Sequence, residues 1–187
     1  ATALPQVEDD LARLLEGVRR RPQIVAMAQA QADEGSLETV GSVGLRLAYQ
    51  LERVTGAEVV VAALEPAGVR VVGASGRADR RLLESYAAPD SALDRVARGQ
   101  TDRIMSDSGF MGGAMADRRQ RTQCVLLLPL LAGRDAIGAV ALWLPDEREP
   151  VGAVMGEIME ALRNAAPRIM RAVELQGLRE AASIDPL

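Results

Sequence analysis

The sequence has no histidine, no lysine and a single cysteine, Cys124, so all 22 basic residues are arginine. Each absence removes a class of chemistry. A Ser-His-Asp or Cys-His catalytic site is impossible without histidine. Histidine-ligated haem is excluded, and so are the usual zinc sites, because one thiolate cannot fill a tetrahedral shell. A lysine Schiff base and a phosphate-loop lysine are excluded too. No intramolecular disulfide can form, and the expected compartment is the reducing cytoplasm.

Aromatic residues make up only 2% of the chain. The strongest apolar run, Cys124 to Ala132, is nine residues long and contains Pro129. A membrane span needs about 20 apolar residues. No signal-peptide pattern opens the sequence. Net charge is −4, and the longest basic tract is Arg19 to Arg21. Nucleic-acid binding normally brings a clustered basic face, so neither a nucleic acid nor a membrane is expected as a partner. The charged residues show no paired-carboxylate constellation. No catalytic residue, metal or cofactor is therefore expected, and the chain is not read as an enzyme.

What is present is 187 residues with 48% hydrophobic content. That is one ordinary domain, or one with helical flanks, and it can bury a core without staples. The stretch from Val7 to about Ala32 reads as helix, with Leu11, Leu14, Leu15 and Val18 at helical spacing. Pro22 kinks or restarts it, and Gly35 ends it. Ser36 is placed as the N-cap of a second helix, Leu37 to Val54, stopped by Gly56. Glu58 to Leu64 and Val69 to Ala74, joined by Pro66-Ala67-Gly68, read as a β-hairpin. Asp79 to Tyr86 is expected as a short helix. A second short helix, Ala92 to Arg98, is capped by Ser91.

Gly99 to Arg121 is irregular, with a short strand expected at Thr101 to Met105. Thr122 to Leu131 and Ala136 to Leu144 form a second hairpin around Gly133-Arg134-Asp135. Pro129 marks an edge or strand end. From Pro150 the helical period returns in the stripe Val151, Val154, Met155, Ile158, Met159, Leu162, Ala166, Ile169, Met170 and Val173. That stripe is close to a heptad seam, which pairs helices of two chains. It equally fits a helix packed on its own domain. Pro167 is expected to kink the helix or split it in two.

The order of elements gives an α+β fold: an antiparallel sheet with flanking N- and C-terminal helices. At the second hairpin the residues resemble the GAF domain. They are Cys124-Val125-Leu126-Leu127-Leu128-Pro129-Leu130, then Gly133, then Ile137-Gly138-Ala139-Val140. Ala92 to Arg98, Gly99 and Thr101 to Ser106 are similar to the GAF stretch of short helix, glycine and strand before a variable loop. The resemblance covers about Ser36 to Val173. It divides the chain into a helical segment at 1–35, a GAF-like core at 36–147 and a signalling helix at 148–187.

The last residues, with Asp185 and Leu187, resemble the lead-in to a GGDEF domain. The chain then resembles the sensory region of a diguanylate cyclase in cyclic di-GMP signalling, stopping before the GGDEF domain that would follow in cis. That resemblance implies a homodimer. The interface candidates are Leu11, Leu14, Val18, Val151, Met155, Ile158, Leu162, Ile169 and Val173.

GAF-like domains often hold a small molecule between the sheet and the irregular segment over it. The residues implied here are Tyr86, Met105, Phe110, Met111, Met115 and Cys124. They line a pocket for an unidentified ligand or fill a closed core. In the second case the domain only dimerises. Arg118, Arg119 and Arg121 either meet an anion at its mouth or form a solvated face. The missing residue types also narrow the family. The methionine sulfoxide reductase branch needs several cysteines. A bilin thioether lacks its neighbouring histidine. The cyclic-nucleotide residue set lacks its lysine.

Overall fold

The computed structural model describes residues 38–76, 82–106, 124–144 and 148–183. Chain contacts separate Ala1–Glu38 from Thr39–Leu187. The second unit holds the elements α1 (Val40–Thr55), β1 (Glu58–Glu65), β2 (Gly68–Ala74), α2 (Ala92–Ala97), β3 (Ile104–Ser106), β4 (Val125–Ala132), β5 (Asp135–Trp143) and α3 (Gly152–Ser183). The strands form one sheet in the order β2-β1-β5-β4-β3, with every neighbouring pair antiparallel. The α+β architecture expected from the sequence is the one observed.

Helix α1 starts later than the sequence suggests. Thr39, not Ser36, is its N-cap, and Ser36 and Leu37 lie outside the described residues. The Ser42 amide donates to Thr39 Oγ1 at 3.1 Å, and the Thr39 amide donates to Ser42 Oγ at 3.1 Å. This reciprocal pair satisfies two donors that a helix start leaves open. Thr39→Ala should cost about 1 kcal/mol. The check is a lower urea midpoint at unchanged slope.

Both faces of the sheet are covered. On one face Val59, Val61, Ala63, Leu126, Leu128, Leu130, Val140 and Leu142 meet α1 and α3. On the other, Val60, Ala62, Val69, Val71, Val125, Leu127, Ala139, Ala141 and Trp143 meet Leu93, Val96 and Ala97 of α2. Strands buried on both sides lose the alternation of polar and apolar residues, which is why Val125 to Leu128 is unbroken by a polar residue.

Two glycines allow close backbone approaches, one between layers and one within the sheet. A Cβ at Gly73 would lie 2.3 Å from the Gly44 backbone, so α1 rests directly on β2. A Cβ at Gly138 would lie 2.2 Å from the Ala62 carbonyl oxygen, where β5 runs close against β1.

Pro129 sits inside β4, opposite Ala139. The Leu144 amide donates to the Cys124 carbonyl, which fixes the alternation along the strand. It turns the backbone nitrogen of Pro129 away from β5. Strand β3 covers β4 only over Val125–Leu127. Among the described residues no strand pairs with β4 at Pro129 on that side, so the missing donor removes no ladder bond there.

One expectation is corrected, and one of two alternatives at Pro167 is removed. The described part of the expected helix at Asp79–Tyr86 holds no α-helix. Residues 84–87 run along the outer side of β2. There the Val71 amide donates to Ser85 O, the Glu84 amide to Val71 O and the Ala87 amide to Val69 O. Backbone groups on a sheet edge need partners, and this segment supplies them. Pro167 does not split the last helix: α3 runs unbroken from Gly152 to Ser183. Pro167 and Arg163 are both on the exposed side, so the carbonyl left without a donor four residues back can meet water.

Candidate functional site

The sheet order separates the candidate pocket residues. Tyr86 forms an isolated bridge with Arg70, beyond β2. Met105 is on β3, at the opposite edge of the sheet. Adjacent strands are about 4.8 Å apart, which puts the two roughly 24 Å from each other. Met105 and Cys124 do come together. Met105 pairs with Leu126, and Cys124 is two residues before Leu126. Phe110, Met111 and Met115 lie outside the described residues, as do Arg118, Arg119 and Arg121.

At its edge, Tyr86 is 49% exposed. Its neighbour Arg70 donates from Nε to Glu65 Oε2 at 2.8 Å and also pairs with Glu84. Hydrogen bonding to Glu65 holds the Arg70 guanidinium above its ordinary pKa, against the opposing effect of burial. Arg70 is thus committed to its two carboxylates, and the cluster staples the 84–87 segment onto the sheet.

The other edge has a definite polarity. Met105 shares the face of its partner Leu126, because directly opposed residues point the same way. That is the face covered by α1 and α3. Cys124 lies opposite Leu144, which belongs to the same face. Met105 is 40% exposed and Cys124 is half-buried. Arg103, just before β3, forms an ion pair with Glu149, in the lead-in to α3.

The face opposite α1 and α3 is covered by α2. Its described lining is Val60, Ala62, Val125, Leu127, Ala139, Ala141 and Trp143, all buried under α2 and neighbouring residues. Trp143 is the one large side chain of this set that the motif pattern did not mark. As the chain's only tryptophan, it is a built-in fluorescent reporter of that face. Among the described residues no group of three His, Cys, Asp or Glu could hold a metal ion.

The expected dimer stripe divides as well. Ile158, Leu162 and Ile169 are buried in the layer shared with α1 and the sheet. Met155 and Val173 pack partly against that layer. These side chains are spent within the chain, because α3 needs them to cover the sheet. Val151, at 78% exposure, is free of that packing. Leu11, Leu14 and Val18 lie outside the described residues.

No protein-family model matches the sequence, and no curated protein matches it. Solved structures do. The GAF domain/HD domain protein from Geobacter sulfurreducens aligns at TM-score 0.59 and 19% identity, over 74% of this chain and 96% of that one. The GAF domain of an Acinetobacter phosphoenolpyruvate-protein phosphotransferase aligns at TM-score 0.59 and 9% identity, over 80% and 93%. This chain has the GAF fold. The GAF-B domain of DevS from Mycobacterium smegmatis adds a further match, at TM-score 0.52 and 19% identity, over 74% and 98%. Identities this low carry the GAF architecture and no assignment of ligand. Among the described residues, no helix of the GAF fold is long and apolar enough to cross a membrane.

Proposed function

We propose that this chain is a sensory and dimerisation module. It couples a small-molecule or partner signal to a C-terminal output domain through the geometry of α3. The observation that carries this reading is the length of α3. Its last well-buried residue is Ala172, and every residue from Gly177 to Ser183 is exposed. At 1.5 Å per residue, that stretch extends the helix roughly 10 Å beyond what packing its own domain requires. Leu178, in this extension, is 68% exposed. A helix built only to cover the sheet would end near Val173.

The finer reading is a GGDEF output domain and cyclic di-GMP signalling. Asp185 and Leu187 support it by their resemblance to the GGDEF lead-in. Such an output works as a pair, so the module acts as a homodimer. A ligand can shift the α3 arrangement only as far as its affinities for two arrangements differ.

The burial of Ala62, Ala139 and Ala141 beneath α2 favours a second reading, a pocketless interaction domain that dimerises and senses nothing. A thermal-shift screen with nucleotides and metabolites, read alongside Trp143 fluorescence, separates the two. The sensory reading predicts at least one compound whose stabilisation grows with the logarithm of its concentration. A flat screen with unchanged emission gives the chain to the pocketless reading.

A further inference from the structure

We propose that the Arg103–Glu149 ion pair is a latch that sets the direction in which α3 leaves the sheet. The proposal rests on the reading of α3 as the output element and adds the contact that biases it.

Three observations place the latch. Among the described residues, strand β3 is three residues long and pairs only with Val125–Leu127 of β4. It is the shortest strand of the described sheet. Arg103 immediately precedes it, and Glu149 lies three residues before α3 begins. The pair therefore joins the lead-in of the shortest described strand to the lead-in of α3, the longest described helix. Finally, Met105 stands two residues from Arg103, 40% exposed, on the face that α3 covers. A molecule or partner contacting Met105 would press on the short strand that Arg103 leads into.

The strength of the contact suits a bias rather than a staple. The Arg103 side chain is 48% exposed and that of Glu149 is 29% exposed. Ion pairs in such settings change an equilibrium by about 1.4- to 5-fold. That is too little to hold the fold together and enough to tilt a helix between two arrangements of similar energy. Salt should weaken it, since screening acts on exposed pairs.

The test is a charge-swap cycle read by α3 direction. A spin-labelled amino acid is introduced by codon suppression at Arg134, in the β4–β5 turn, and at Leu178, near the end of α3. The labelled chain is diluted into excess unlabelled chain, so that only distances within one chain are seen. R103E and E149R should each shift or broaden the Arg134–Leu178 distance distribution. R103E/E149R should restore it, and raised salt should reproduce the effect of the single reversals. A purely structural pair would lower the melting temperature of the singles and leave the distance unmoved. That outcome overturns the latch, as does a swap that fails to restore the distance. The experiment needs neither ligand nor output domain. A latch that passes beside a flat ligand screen therefore retires the sensory reading while the latch itself stands.

Discussion

Gly73→Ala should destabilise the domain by about 3 kcal/mol, at or above the upper end of the usual overpacking range. The added Cβ would lie 2.3 Å from the carbonyl carbon and oxygen of Gly44 and 2.7 Å from the Leu45 nitrogen. These are backbone atoms, so no rotamer change relieves the clash. Helix α1 has to lift from β2, and lifting it opens the layer that Val43, Leu47 and Val72 close. The melting temperature should fall by roughly 6–12 °C for a domain of this size. Gly73→Val should leave no cooperative transition. The matched control is Gly156→Ala on α3, where a Cβ meets nothing within 4 Å. There the change removes a helix-interior glycine and should stabilise by up to about 1 kcal/mol. Equal behaviour of the two alanine variants would refute the close contact of α1 on β2.

The second large effect separates adjacent residues on α3. Ile169 is fully buried, and Met170 is 37% exposed. Ile169→Ala should cost about 2–5 kcal/mol, the range for emptying a packed site. Met170→Ala should stay within about 0.5 kcal/mol, as surface changes do. The concentration dependence is the more telling part. A residue in a seam between two chains loses stability in a way that varies with protein concentration, by mass action. Ile169 is packed on its own domain, so the loss should be the same in dilute and concentrated samples. Chemical denaturation at two concentrations a hundredfold apart decides the point.

Most of the architecture was legible in the sequence because its signals are local. The Pro66-Ala67-Gly68 turn, the Ser91 cap and the Gly133-Arg134 turn each act over a few residues, and each appears in the fold. At Gly138 the backbone of Ala62 comes close enough to exclude a side chain. The start of α1 was harder to place. Ser36 and Thr39 are both good caps, and only the reciprocal bond with Ser42 selects Thr39.

The candidate site was far less legible. Its residues were chosen by chain position, whereas the sheet distributes them by parity and strand order. Leu126, Leu127 and Leu128 are alike in type but face alternate sides. An all-apolar strand carries no polar residue to mark which side is which. Met105 and Cys124 consequently fall on the α3 face, and Trp143 on the α2 face. Tyr86 was read as helical, and its place beyond β2 depends on Arg70, Glu65 and Glu84 acting across the sheet edge. The stripe on α3 had two readings of equal periodicity. Burial of Ile158, Leu162 and Ile169 assigns those three to the chain's own core.

The most direct measurement for a dimeric output module is the distance between two copies of Leu178. Chains carrying one spin label there are examined by pulsed EPR at high micromolar concentration, with mass measured on the same sample. A dimer with a defined label-to-label distance is the expected result. A strictly monomeric species with no coupling between labels would contradict it.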